Sequence, residues 1–380
     1  FTIHKKIYRQ KTFSNEQTNF SLNDNLYQHT LFIVDEASMI ANDGLSGSVF
    51  GTGRLLDDLI QYVYSGTGCR LLLMGDTAQL PPVGEEESPA LSATALKGYG
   101  LHVREIDLTQ VVRQLSDSGI LWNATSLRRL IAMEELFEFP KVRFSCFADI
   151  CNLSGNELIE TLEESYQRYG MEETMVICRS NKRANIYNKG IRAQILYRED
   201  ELNTGDMLMI ARNNYYWTEK SKEMDFIANG EIAVVRRVRR TRELYDFRFA
   251  EVVLTFPDHE DFELEANLLL DTLHSDAPAL PKTENDRLFY NVLEDYADIP
   301  VKRDRMKKMK MDPHYNALQV KYAYAITCHK AQGGQWQNVF LDQGYMDEYL
   351  TPDYFRWLYT AFTRATQTLY LVNYPKEQIV

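Results

Sequence analysis

Short apolar runs, each ended by a polar turn, recur along this chain at 31–34, 71–74, 174–178, 320–326, 339–341 and 369–372, and stretches of helical period separate many of them. Strands buried on both faces and alternating with helices make an α/β fold with a mostly parallel sheet. With 380 residues, and roughly 100–200 per domain, the chain has length for two or three domains with their own cores. No apolar run approaches the ~20 residues of a membrane helix, and nothing at its start reads as a signal peptide. The five cysteines, Cys69, Cys146, Cys151, Cys178 and Cys328, show no zinc-ligand spacing. The expectation is a reduced, cytoplasmic protein without a structural metal and without a membrane partner.

Between 203 and 318 the texture changes. Alternating stretches at 231–238 and 249–255 suggest short antiparallel strands; acidic, proline-containing loops follow, and then the basic run 302–310. This reads as a small β-rich module inserted into the second α/β domain, rather than a surface excursion, because loops of that length are uncommon. The net charge is −12, yet the stretch from 300 onward is net basic while the middle holds most of the acid. An acidic protein can still grip an anionic polymer when its positive charge is gathered in one groove, so overall charge does not choose the partner. The basic run itself suits either a nucleic-acid path or a solvated helical face, and Trp336 and 215–217 are aromatic candidates for base stacking.

The run 31–34 ends in Asp35-Glu36-Ala37-Ser38. A buried parallel strand delivers its last side chains to the sheet's carboxyl edge, where open α/β sheets bind ligands. Adjacent carboxylates there suit Asp35 to hold Mg²⁺ and Glu36 to orient and deprotonate an attacking water. A strand meeting a solvated turn looks the same. The second run ends in Gly75-Asp76-Thr77-Ala78-Gln79-Leu80-Pro81-Pro82-Val83, where Gln79 is a neutral donor and acceptor suited to sensing a γ-phosphate, and the prolines stiffen the exit. Further along, 324–326 runs into Thr327-Cys328-His329-Lys330-Ala331-Gln332-Gly333-Gly334, a loop of phosphate donors with glycines that admit close backbone approach. Thr351 and Pro352 open a helix whose one face would carry Phe355, Leu358 and Phe362 and the other Arg356, Thr360, Thr363 and Arg364.

Taken in order, 34–39, 75–83, Val112-Arg113-Gln114, 325–333 and 359–365 resemble the motifs of the superfamily-one DNA helicases, most closely the RecD-like, 5′→3′ branch. Thr2-Ile3-His4 resembles the end of that family's motif Ia, and Gly205-Asp206, Asn213-Asn214 and Asn229-Gly230 resemble its later spacer signature. The resemblance spans nearly the whole chain. It implies an α/β protein of two RecA-like parallel-sheet domains, the first (1–165) incomplete at its N-terminus, the second (166–380) carrying a small β-barrel-like insertion at 203–318. A strand-separating pin hairpin would fall within 13–29, its turn in the polar stretch after Leu22.

The resemblance further implies an ATP- and Mg²⁺-dependent motor that moves on single-stranded DNA and opens duplex junctions. Asp35, Glu36, Gln79, Arg113 and Arg364 would be catalytic; Asp76, Gln332 and Gly333 would bind the nucleotide. Thr2, His4, Pro81, Val83, Asn181, Thr327, His329 and Lys330 would contact DNA. Two departures stand out. No Gly-rich phosphate loop ending in Lys-Ser/Thr occurs in the sequence, so the resemblance implies that this loop and its strand lie outside these residues, which alone should hydrolyse negligible ATP. Gln335 stands where many relatives have Glu. The alternative is a degenerate helicase-like module that binds DNA or a protein without ATPase activity; a nuclease finds no support, for want of further clustered carboxylates.

Overall fold

A computed structural model of the chain describes residues 2–10, 20–44, 50–108, 117–219, 221, 223–224, 226–344 and 350–380. It separates into two units, one comprising Phe1–Phe147, Asp347–Thr363 and Val380, the other Ala148–Met346 and Arg364–Ile379. Among the described residues no helix is long and apolar enough to cross a membrane.

In the first unit, α1 (Ile3–Ile7) runs directly into β1 (Tyr8–Gln10), which pairs antiparallel with β2 (Phe20–Leu22). β3 (Leu31–Val34) and β4 (Arg70–Leu73) form a two-stranded parallel sheet, crossed over by α2 (Leu55–Ser65). Leu56, Leu59, Ile60 and Val63 recur at helical spacing on α2 and meet Phe32, Val34, Leu71 and Leu73 from one face of that sheet. Among the described residues nothing covers the other face: Leu31 is 54% and Ile33 59% exposed, and Leu72 and Met74 are exposed beside them. Two short helices follow, α3 (Ala93–Lys97) and α4 (Gly119–Ala132), the latter capped by the Ser118 hydroxyl accepting the Leu121 N–H at 3.1 Å. Residues 101–108 form no strand, and Ile106 and Leu108 are exposed.

The hairpin expected within 13–29 takes another course. Phe20–Leu22 pairs backwards with Tyr8–Gln10, and 23–30 carries no strand. The Asn25 amide instead donates to the Tyr62 and Val63 carbonyls at the end of α2, which satisfies them and ties the loop down. Residues 11–19 lie outside the described residues.

The second unit holds a five-stranded, all-parallel sheet and a closed barrel. In chain order its elements are β5 (Ile150–Leu153), α5 (Leu158–Tyr169), β6 (Thr174–Cys178) and α6 (Asn181–Gln194). The barrel strands β7 (Met207–Ile210), β8 (Ile232–Leu244), β9 (Phe247–Phe256) and β10 (Phe262–Leu269) come next. Helices α7 (Asp271–His274), α8 (Lys282–Glu294) and α9 (Lys302–Lys310) lead to β11 (Leu318–Tyr322), which closes the barrel between β10 and β7. Then follow β12 (Ala325–Thr327), α10 (Cys328–Ala331), β13 (Trp336–Asp342) and β14 (Ala365–Val372), giving the sheet order β12-β6-β13-β14-β5. β6 is buried along its whole length, as a central parallel strand should be.

Two expectations about boundaries read differently here. β5, placed by sequence in the first domain, is an edge strand of the second unit's sheet, paired with β14 from Leu369↔Ile150 to Val372↔Leu153. The apolar run 320–326 is not one strand: β11 belongs to the barrel and β12 to the parallel sheet, with Ala323 and Tyr324 between them. The barrel therefore runs to 322 rather than 318.

The chain returns to the first unit as α11 (Pro352–Phe362). Pro352 takes the first helical position and Thr351 precedes it in extended conformation, but the Thr351 side chain makes no capping bond. Nor is α11 two-faced as expected. Tyr354, Phe355 and every residue from Trp357 to Phe362 are buried, Thr360 among them.

Candidate functional site

Val34 pairs with Leu73, so Asp35 and Glu36 leave one strand of the first unit's sheet where Met74, Gly75 and Asp76 leave the other. The Met74 N–H donates to the Val34 carbonyl at 2.9 Å and the Ala37 N–H to the Met74 carbonyl at 2.8 Å, which zips the two strand ends together. Gly75 is required by this approach: a Cβ there would lie 2.9 Å from the Ser38 backbone nitrogen, which cannot move away. Asp35 is exposed, and its Oδ1 accepts the Glu36 N–H at 2.9 Å. Glu36 sits in the left-handed region, φ 51° and ψ 37°, a conformation that costs a residue with a Cβ about 1 kcal/mol or more. The strained residue is the one that chemistry singled out.

Gln79 is buried, and its Oε1 has no hydrogen-bond partner among the described residues. The loop that carries it is held on both sides. Asp76 Oδ2 accepts from the Tyr359 hydroxyl at 2.6 Å, and Oδ1 accepts from the Ala78 N–H at 3.0 Å with the Arg128 guanidinium 3.6 Å away. The Leu80 N–H donates to Thr360 Oγ1 at 2.9 Å, and Arg356 donates to the Thr77 carbonyl. Burial first, and then the Asp76 carboxylate, push the Tyr359 pKa well above the usual phenol range. Pro81 is buried and Val83 exposed just beyond. Sequence reasoning gave no role to Tyr359, Thr360, Arg128 or Arg356 in this loop, because partners some 280 positions apart leave no local pattern.

Thr2 is exposed and caps α1, its Oγ1 accepting the Lys5 N–H at 3.4 Å. The His4 ring packs edge-on against Phe50 at 5.0 Å and beside Tyr8 at 5.7 Å, and burial lowers its pKa. Thr2 and His4 thus differ: one faces solvent, the other lines the aromatic core. Arg113 lies outside the described residues.

In the second unit, Thr327, Cys178 and Asp342 stand side by side at the ends of β12, β6 and β13. Past that edge, Ser180 caps α6 and Asn181 is its first residue, while His329 and Lys330 ride on the short α10. Asn181, Thr327, His329 and Lys330 are thereby gathered at one end of one sheet. His329 is exposed; Lys330 donates to Asn229 Oδ1, and burial lowers its pKa. Gly333 follows Gln332 at φ 79°, a conformation natural to glycine. Arg364 lies just past α11, only 4% exposed, and its NH1 donates to the Gly334 carbonyl at 3.1 Å. It is packed into the second unit rather than projecting from a polar helical face.

Asp206, from the spacer signature, anchors this arrangement. It is fully buried and accepts from Arg192 at 3.0 Å, Arg198 at 2.7 Å, the Tyr324 hydroxyl at 2.9 Å and the Asn203 N–H at 2.7 Å. Tyr324 immediately precedes β12, so the carboxylate fixes where the Thr327 loop begins. Two of the aromatic candidates are tied to the backbone: Trp217 Nε1 donates to the Asn316 carbonyl at 2.8 Å, and Tyr216 to that of Met311 at 3.0 Å. On α9, Met309 is buried while Lys302, Arg303, Lys307 and Lys308 are exposed.

The residues present fit the metal- and water-facing side of a nucleoside triphosphate: an exposed carboxylate, a second carboxylate on a strained turn, and a buried amide oxygen without a partner. They include no Gly-rich loop to cradle its phosphates. Among the described residues no group of three or more His, Cys, Asp or Glu side chains is placed to hold a metal by itself.

Residues 322–372 match the family model of the UvrD-like helicase C-terminal domain. The chain is 22% identical over 359 residues to the uncharacterized protein R530 of Acanthamoeba polyphaga mimivirus, covering 82% of this chain and 68% of that protein. Among solved structures it is similar to that of two coordinating Pif1 helicases at forked duplex DNA, with 14% identity and a TM-score of 0.49 over 100% of this chain and 79% of that one. It is also similar to Pif1 helicase from Candida albicans, at 15% identity and a TM-score of 0.44 over 92% of this chain and 72% of that one.

Proposed function

We propose that this chain is the motor core of an ATP-dependent DNA helicase of the superfamily-one, RecD-like branch, moving 5′→3′ on single-stranded DNA and opening duplex. The observation that carries the reading is the packing of the Asp35–Glu36 turn against Gly75, at the root of the loop that holds Gln79. A carboxylate pair and a buried amide on adjoining strand ends suit hydrolysis of a phosphoanhydride better than simple binding. The match of 322–372 to a helicase C-terminal domain supports the same reading from the other half of the chain.

When bound, ATP supplies the phosphoanhydride and Mg²⁺ the charge that neutralises it. Asp35 would hold the metal through its exposed carboxylate, and Glu36 would orient water and take its proton on a carboxylate oxygen. Gln79 accepts a hydrogen bond at its free Oε1. Arg113 and Arg364 would counter charge on the transferred group, Gln332 and Gly333 would adjoin the nucleotide, and Thr2, His4, Pro81, Val83, Asn181, Thr327, His329 and Lys330 would follow the DNA. The bare apolar face of β3 and β4 supports a further strand and helix packed there, bringing the phosphate loop; parallel sheets are otherwise covered on both faces. The second reading, a binding module without hydrolysis, is favoured by the want of that loop within these 380 residues only if they are the whole gene product.

In the full-length gene product, Glu36→Gln should lower DNA-stimulated ATP hydrolysis by about a hundredfold or more while leaving nucleotide binding intact. Hydrolysis unchanged by that substitution overturns the assignment, and a full-length protein that binds DNA without hydrolysing ATP establishes the second reading.

A further inference from the structure

Asp76 invites assignment to the nucleotide, yet both of its carboxylate oxygens are already engaged by protein donors: Tyr359, Ala78 and Arg128. The same loop is held at its far end by Thr360 through the Leu80 N–H and along its length by Arg356 through the Thr77 carbonyl. Three side chains of α11, one at position 356 and two a turn later at 359 and 360, thus grip residues 76, 77 and 80, and Gln79 lies inside that grip. All of these groups belong to the first unit. Among the described residues the Gln79 Oε1 makes no hydrogen bond of its own, so the backbone of the loop sets where this side chain begins.

We propose that Tyr359, Thr360 and Asp76 are positioning residues, through which α11 sets the placement of the Gln79 amide. The α11 helix ends at Phe362, and the chain passes into the second unit at Arg364. A displacement of α11 therefore moves Gln79, and the covalent path from α11 to Arg364 spans only Thr363. The inference rests on the reading of Gln79 as part of a hydrolytic site, but its first consequence is independent of that reading. Asp76 serves the loop rather than the nucleotide.

Hydrogen–deuterium exchange on the full chain tests the grip itself. Thr360→Val should raise exchange of the Leu80 amide, and Tyr359→Phe that of the Ala78 amide, each by about tenfold, the effect of losing one ordinary hydrogen bond, with α2 amides unchanged. No change at Leu80 or Ala78 overturns the proposal, whatever the activity. Steady-state ATP hydrolysis by the full-length protein tests the consequence. Tyr359→Phe should lower kcat about tenfold with KM altered less than about threefold, and Gln79→Ala combined with it should cost no more than Gln79→Ala alone. Multiplicative losses overturn the link to Gln79 even if the exchange results hold. Wild-type full-length protein without hydrolysis overturns the functional reading and this catalytic link with it, leaving exchange to decide the grip. Asp76→Asn separates the two roles of Asp76: a rise in KM for ATP without a fall in kcat would return Asp76 to the nucleotide and overturn its positioning role.

Discussion

The two parallel sheets among the described residues solve the same packing problem to different extents. β6, in the second unit, is buried at every position, inside a sheet of five strands. β3, in the first, alternates: Phe32 and Val34 go into the core, while Leu31 and Ile33, no less apolar, meet water in a sheet of two. The composition of the strands is alike. What differs is the number of neighbours, and the lesson is that apolar strand sequence states a demand for cover without supplying it. The carboxylate pair and Gln79, the residues with the plainest chemistry, sit on the less complete sheet.

Charge placed on the two strands should separate them most sharply. Val176→Asp puts a carboxylate at a fully buried position and should prevent the second unit from folding, since an unpaired buried charge costs more than a domain's whole stability of about 5–15 kcal/mol. Ile33→Asp on the bare face should change the stability of this chain by no more than about 0.5 kcal/mol. Circular dichroism and urea unfolding of both variants check the contrast; a collapse of the Ile33 variant would mean that the face is covered after all. Next in size, Asp206→Ala leaves Arg192 and Arg198 facing no carboxylate and should destabilise the second unit by about 3–5 kcal/mol, read as a shift of its denaturation midpoint alone.

Smallest is a pH effect confined to the first unit. Burial lowers the His4 pKa below the ordinary imidazole value of 6.5, so below that pH the unfolded chain binds more protons than the folded one. The stability contributed by neutral His4 is complete above pH 6.5 and is lost as pH falls through the lowered folded value. His4→Phe should flatten this acid limb in thermal melts, and an unchanged slope would show that the ring is not buried in solution.

Much of the architecture was readable from the chain alone, for a local reason. Runs such as 31–34 and 174–178 are strands because apolar side chains bounded by turn residues have few other uses, and Gly75 and the Asp35–Glu36 turn follow from the strands that end there. The β-rich texture of 231–255 became two barrel strands. Misreadings fell where one local pattern admits two partners. Phe20–Leu22 reads as half of a downstream hairpin, but pairs upstream. The run 320–326 reads as one strand, yet Tyr322 ends in the barrel and Ala325 begins in the sheet.

Residue order thus dictates which short segments are strands and helices, and which polar groups stand at their ends, because those choices depend on neighbours a few positions away. Which of those groups face water was left to long-range packing. Arg364 donates inward to Gly334, Thr360, expected on the polar face of its helix, is buried against Leu80, and Asp76 is claimed by Tyr359 from far along the chain. A hydrogen bond closes only when two distant backbones arrive at the same place, and no periodicity within either segment records that meeting.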